Sequence, residues 1–280
     1  MTRYKKFKDV EIEIYKKMSM IRKFEKRIIS AYESGNVSTP VYLSIGQESI
    51  AATLATFFSN GIPIFAQHRA HSYFLAFNGD PSHLMQEITS SSNSWSQGSG
   101  GSASISSKEI QMFGHSGLMG DQVPIAIGYA LVTSSPVLAV VGDASAEEDY
   151  VMSAIGYAVK RKLPVILICE DNNYSILTEK FVRREWKLDD VAKAYGAVSF
   201  DIEDKPQEIW NKLSDWNFKD VLVLNINTER HNWHAGIGQD ATPTQDRLAD
   251  LKLHLLKSGY EKDLLIIDSN IDLRLDQIWS

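Results

Sequence analysis

From Asp121 onward the chain alternates short, almost wholly apolar runs with segments of helical spacing, and no other feature restricts its fold so tightly. The apolar runs fall at residues 137–141, 164–169, 197–202 and 220–226. Between them, residues 122–133, 148–161 and 206–215 carry apolar side chains at the three- and four-residue intervals of amphipathic helices. Strands without a polar side are buried on both faces, and strands alternating with helices build βαβ units, so the pattern predicts an α/β fold with a mainly parallel sheet flanked by helices. Helical extensions are expected at both ends. Residues 11–34 read as one long helix that stops at Gly35, and residues 47–59 as a second, closed by Asn60-Gly61 and followed by the short apolar Pro63-Ile64-Phe65. Residues 244–279 read as two more, split at Ser258-Gly259.

Composition narrows the partners. The 280 residues correspond to one or two domains. A net charge of −6 argues against a general binder of nucleic acid. The single cysteine, Cys169, allows no intrachain disulfide and no cysteine zinc cluster, which suits a reducing cytoplasm. No apolar stretch reaches the roughly 20 residues of a membrane span. The first residues, MTRYKKFKDVEIEIYKK, are charged and lack an apolar signal core, so a soluble, unexported protein is expected. Residues 89–107, TSSSNSWSQGSGGSASISS, cannot pack as a core element. They read either as a flexible linker or as an active-site loop, since they lie inside a helical region and not between two apolar blocks.

Ligands of an open α/β sheet bind beyond the carboxyl ends of its strands. There stand Gly142-Asp143-Ala144-Ser145 after one apolar run and Glu170-Asp171-Asn172-Asn173-Tyr174 after the next. Asp143 and Asn172 offer the hard oxygens that Mg²⁺ takes together with substrate phosphates, and a helix beginning after Asp143 would direct free N–H groups at the same place. Equally, Asp143 and Ser145 could cap that helix while Asn172-Asn173 makes a turn. His68-Arg69-Ala70-His71 and Arg230-His231-Asn232-Trp233-His234 set arginine among imidazoles, a grouping suited to phosphate contact and proton transfer, though each could be a surface turn. His83, His115 and His254 lack such neighbours.

The order of these strings resembles the alpha subunit of the thiamine-diphosphate-dependent 2-oxo acid dehydrogenases, of the pyruvate, branched-chain and acetoin types. Gly142-Asp143-Ala144 followed by Asn172-Asn173 is similar to the GDG…NN signature, flanked in order by Gly46-Gln47-Glu48, the His68–His71 string, Gly100-Gly101-Ser102, Gly117 to Pro124, Leu163-Pro164-Val165 and His234. The likeness runs from about residue 10 to 275. It implies a thiamine-diphosphate-binding fold in a single domain, residues 1–280, with thiamine diphosphate and Mg²⁺ as cofactors. Asp143, Asn172 and the Tyr174 carbonyl would ligate the metal. Arg69 and His68 would meet the diphosphate, backbone groups of Gly117 and Met119 the aminopyrimidine edge, and Gly142, Ala144, Ser145 and His234 would also bind the cofactor. His234, with His71, would be the catalytic imidazoles.

The same resemblance places the glutamate that activates the cofactor on a separate beta subunit, so an alpha2beta2 heterotetramer and a 2-oxo acid substrate are expected, without nucleic acid or membrane. Ala144 departs from the second glycine of the signature, which is tolerable if its φ is negative. Asp149, Ser153 and Ser104 depart as well, the N-terminal region is short, and only residues 235–244 bridge from His234 to the last helices. Three functions remain open: oxidative decarboxylation with acyl transfer to a lipoyl-bearing acyltransferase, acyl transfer to a ketone or keto sugar, or a non-catalytic partner subunit.

Overall fold

A computed structural model of the protein describes residues 5–236 and 242–279. The N-terminal helix α1 (Glu11–Glu33) buries Ile14, Met18, Ile21, Phe24 and Ile28 along one stripe, and the chain leaves it through Gly35 at φ +79°. After α2 (Glu48–Phe57), strand β1 (Ile64–Phe65) enters the sheet, followed by α3 (His71–Ala76), α4 (Pro81–Ile88) and β2 (Met112–Phe113). Asp80 starts α4 by accepting from the Ser82 N–H, with Pro81 in the first turn. Then come α5 (Gln122–Thr133), β3 (Val137–Gly142), α6 (Asp149–Arg161) and β4 (Val165–Asp171). A small hairpin, β5 (Tyr174–Ser175) and β6 (Thr178–Glu179), leads into the short α7 (Lys180–Arg183). The rest is α8 (Leu188–Tyr195), β7 (Val198–Glu203), α9 (Pro206–Ser214), β8 (Leu222–Asn227), α10 (Arg247–Lys257) and α11 (Glu261–Trp279).

Six strands form one sheet in the order β2-β1-β3-β4-β8-β7, and all of its pairings are parallel. The pleat explains the unbroken apolar runs. Leu138, Val140, Ile166, Ile168, Leu222 and Leu224 face a core shared with the N-terminal and C-terminal helices. Val137, Ala139, Val141, Val165, Leu167 and Cys169 face the opposite core, with residues of α5, α6 and α8. From β1 the chain moves outward to β2, then crosses back so that β3 lies on the other side of β1. That reversal opens a crevice at the carboxyl ends of β1 and β3.

The helix expected at 148–161 is found at Asp149–Arg161, and a 3₁₀ turn, Ser145–Glu147, separates it from Asp143, so neither Asp143 nor Ser145 caps it. One further reading falls. Residues 89–107 are no free linker. They wind around the buried Glu87 carboxylate, which accepts from the N–H groups of Ser96 (3.1 Å), Gly100 (2.9 Å) and Gly101 (3.2 Å) and from the Ser96 hydroxyl.

The Gly46-Gln47-Glu48 turn is locked by charge. Glu48 is 1% exposed. It pairs with Arg22 of α1 and accepts from the Gly46 N–H at 2.9 Å. Arg22 also holds Asp246, the cap of α10, at 2.8 Å. A side chain at Gly46 would run into the Glu229 carbonyl, 2.2 Å from a built Cβ. Breaking a buried ion pair from one side strands the other charge. Glu48→Ala is therefore expected to destabilise the protein by about 3–5 kcal/mol, read as a lowered urea midpoint; a loss below about 1 kcal/mol, the scale of a surface pair, would contradict the network.

Candidate functional site

A cavity of about 480 Å³ lies at the reversal point, within the size range of sites for small molecules and cofactors. The turn after β1 supplies Gln67, His68 and Arg69. The end of β3 supplies Gly142, Asp143, Ala144 and Ser145, and the end of β4 supplies Glu170, Asn172 and Tyr174. Gly117 and Met119 come from the loop before α5, and Arg230 and His234 from the segment after β8. Every residue expected at the site lines it, except one.

The exception is His71. It heads α3, is fully buried, and has both ring nitrogens engaged, Nδ1 with Glu25 at 3.1 Å and Nε2 with the Ser102 hydroxyl at 2.8 Å. The structure does not bring it to the cavity with the others. Ala144 sits at φ −69°, so a methyl group is accommodated there. Part of the bridge expected at 235–244 lies outside the described residues.

One wall is built of donors. Arg69 donates to the Leu43 carbonyl at 2.8 Å and approaches His234 Nδ1 at 3.0 Å, and Arg230 approaches the same nitrogen at 3.1 Å. Guanidinium groups only donate, so Nδ1 of His234 accepts and its proton resides on Nε2. The Gln67 amide lies 3.2 Å from His68 Nδ1 by its nitrogen, which likewise leaves the His68 proton on Nε2. Burial, then the charge of Arg69, pushes His68 well below the usual histidine range. It stands neutral, with a buried Nε2 that has no partner among the described residues.

The floor is acidic. Asp143 is 1% exposed. Burial, and then Asp171, lifts its carboxyl to about 6 despite its pairing with Arg183. Asp171 is buried beside it and held by Lys180 at 2.5 Å. The Asn172 side-chain oxygen accepts from the Tyr174 N–H at 3.2 Å across a turn with Asn173 at φ +68°, so the turn expected there is real. Asp143 makes no cap, and Ser145 accepts from Gln67 at 2.8 Å. No group of three or more His, Cys, Asp or Glu among the described residues could hold a metal. A cation here would rely on one carboxylate with amide and carbonyl oxygens, a donor set that suits Mg²⁺.

Several lining residues had no signal in the sequence. Gln67 is the hub, donating to Ser145 and accepting from Gln122 at 3.1 Å and from the Gly142 N–H at 3.3 Å. Tyr42 and His115 also line the cavity, as do Gln47 and Glu170, which stand in the Gly46-Gln47-Glu48 and Glu170–Tyr174 strings but carried no role of their own there. Glu170 follows an apolar strand just as Asp143 does, and that position was its only mark.

The dehydrogenase E1 component family matches residues 16–204. The pyruvate dehydrogenase E1 component subunit alpha of Zymomonas mobilis is 36% identical over 129 residues, which cover 46% of this chain and 36% of that subunit. Its counterpart from Rickettsia felis is 26% identical over 247 residues, covering 83% of this chain and 75% of that one. Among solved structures, transketolase from Campylobacter jejuni superposes with a TM-score of 0.59 at 17% identity, over 79% of this chain and 38% of that one, a likeness of fold.

Burial raises the Glu170 carboxyl to about 7, with the Tyr73 hydroxyl at 2.8 Å partly offsetting it. A carboxyl raised on folding contributes stability below its unfolded pKa, near 4.5, and loses it as pH rises through about 7. Glu170→Gln should melt higher than the parent at pH 8, by a difference on the order of a few kcal/mol that closes below pH ~5. A pH-independent difference between the two melting curves would show that Glu170 does not titrate in this way.

Proposed function

The chain belongs to the dehydrogenase E1 component family, and on that premise we propose that it is the alpha subunit of a thiamine-diphosphate- and Mg²⁺-dependent enzyme that decarboxylates a 2-oxo acid and passes the acyl group to a lipoyl-bearing partner. The observation that carries this reading is the meeting of Asp143 and Asn172 with His68, Arg69 and His234 around one cavity. The residues fit the cofactor's chemistry. Asp143, Asn172 and the Tyr174 carbonyl would hold the metal. Arg69, Arg230 and the Nε2–H of His68 would receive the diphosphate, since an unpartnered buried donor calls for an acceptor. The Gly142 N–H is taken by Gln67, so the diphosphate would rely on the side-chain donors of the opposite wall.

When bound, thiamine diphosphate supplies the electron sink for the carbanion left by carbon dioxide. The chain's own residues orient it, exclude water and place neutral N–H donors near the reacting oxygens. His234 accepts from two guanidiniums at Nδ1 and so offers its N–H from Nε2.

A beta subunit is required in this reading, and residues 1–280 form one domain of the assembly. Helix α5 supports a partner. Its line Ile125, Gly128 and Val132 is exposed, with Ile125 at 55% and Val132 at 84%, although the helix is apolar nearly all round. No helix among the described residues is long and apolar enough to cross a membrane, and the buried free thiol of Cys169 suits the cytoplasm.

In the co-expressed alpha and beta complex, Asp143→Ala should abolish Mg²⁺-dependent thiamine diphosphate binding in calorimetry; unchanged binding would overturn the assignment. His234→Ala should keep most of that affinity while lowering kcat by about 10²–10³-fold. Equal losses in binding and turnover would remove His234 from the reacting centre.

A further inference from the structure

His115 lines the cavity and the function above gives it no role. It is 6% exposed, yet neither ring nitrogen has a hydrogen-bond partner among the described residues. A buried polar atom left unpaired costs about 1–3 kcal/mol, so two on one ring point to a group that receives a ligand. The ring lies 6.5 Å from that of His68, centroid to centroid.

A carboxylate faces it. Asp121 stands at the N-cap of α5 but its side chain does not cap the helix. One oxygen accepts from the Ser116 hydroxyl. The other, Oδ1, is buried without a partner among the described residues and lies 3.9 Å from His115 Nδ1. Asp121 Oδ1, His115 Nδ1 and His115 Nε2 are thus three buried atoms awaiting partners, with the first two facing each other. Closing that gap by about 1 Å would make an ordinary hydrogen bond, and catalytic hydrogen bonds commonly tighten once substrate is bound. The backbone beneath is fixed, since Ser104 donates to the His115 carbonyl at 2.7 Å and Ser116 accepts from the Leu118 N–H at 3.1 Å.

The other imidazoles are backed differently. Gln67 donates to Nδ1 of His68, and two arginines face Nδ1 of His234, so donors back both rings. An anion behind Nδ1 instead stabilises the imidazolium.

We propose that His115, oriented by Asp121, gives and retrieves the proton on the 2-oxo oxygen of the substrate. The role rests on the thiamine-diphosphate function above. As the new carbon–carbon bond forms at the 2-oxo carbon, the C=O π pair moves to oxygen, which takes the proton from His115 Nε2 while Nδ1–H stays with Asp121. As the acyl group is handed on, the O–H bond breaks, the C=O bond re-forms, and Nε2 regains the proton. No external acid is consumed. Burial lowers the pKa of His115 and Asp121 works against that, so the imidazolium is a readier donor than an exposed one.

The test uses the co-expressed complex, with thiamine diphosphate and Mg²⁺ binding read by calorimetry and turnover of pyruvate, 2-oxobutyrate and 3-methyl-2-oxobutanoate read by dye reduction. His115→Gln should lower kcat by about 100-fold with KM and cofactor affinity nearly unchanged. Asp121→Asn should lower kcat by about tenfold in the parent and not at all in the His115→Gln background, because the two act as one unit. An unaltered kcat in His115→Gln, an equal loss of cofactor affinity, or an Asp121→Asn effect of the same size in both backgrounds overturns the role while leaving the cofactor site standing. A parent complex that binds no thiamine diphosphate, or turns over none of the three acids, overturns the functional assignment and this role together.

Discussion

Two carboxylates lie buried side by side at the ends of neighbouring strands, and much of the molecule's carboxyl edge is arranged to neutralise them. The β3–β4 register pairs Gly142 with Glu170, which sets Asp143 and Asp171 next to each other at 1% and 3% exposure. Like charges this close and this dry repel, and Asp171 helps to raise the Asp143 carboxyl. The cations come from one short segment, with Lys180 on Asp171 and Arg183 on Asp143 and Glu147. Helix α7 has no buried residue and leaves Phe181 71% exposed. Charge, and not apolar burial, therefore fixes it in place. A divalent cation held by Asp143 and Asn172 would take over the neutralising role of Arg183.

The facing wall solves the opposite problem. Under the proposed function it would present N–H donors to an anion. Arg69 and Arg230 are anchored by carbonyl oxygens, Leu43 and Ile176, at 2.8 and 2.7 Å, and they point N–H groups at His234. The imidazoles respond by keeping a single proton on the nitrogen away from the arginines or the Gln67 amide. The cavity thus sets an acidic floor opposite a wall of guanidinium and imidazole donors.

The long strands were readable in the sequence because burial on both faces leaves no polar position to blur them. Strands β3, β4, β7 and β8 fall within two residues of the apolar runs at either end. Strands β1 and β2, of two residues each, and helices α3, α4 and α8 are too short for local propensity to fix and depend on tertiary contact. The same division runs through the site. Asp143 and Asn172 stand where strands end, so spacing alone brings them forward, while Arg69 is marked by the imidazoles beside it in the sequence. Gln67 matters because Gln122, Gly142 and Ser145 converge on it from distant parts of the chain. His115 acquires meaning only once Asp121 is seen not to cap its helix.

His71 shows how a residue in a catalytic-looking string can serve the site from behind. The Ser102 hydroxyl donates to its Nε2, so Nδ1 carries the proton and donates it to Glu25 of α1. Glu25 also accepts from the Ser44 N–H at 2.8 Å, and Ser102 accepts from the Tyr42 N–H at 2.8 Å. Residues 42–44 are thereby tied at both ends, and the Leu43 carbonyl between them receives Arg69. Tyr42 packs edge-on against His68 and His234, with centroids 4.8 and 5.8 Å apart. The imidazole that does not reach the cavity thus fixes the strip of backbone against which the arginine and the two imidazoles of the donor wall are set, and its removal would loosen all three at once.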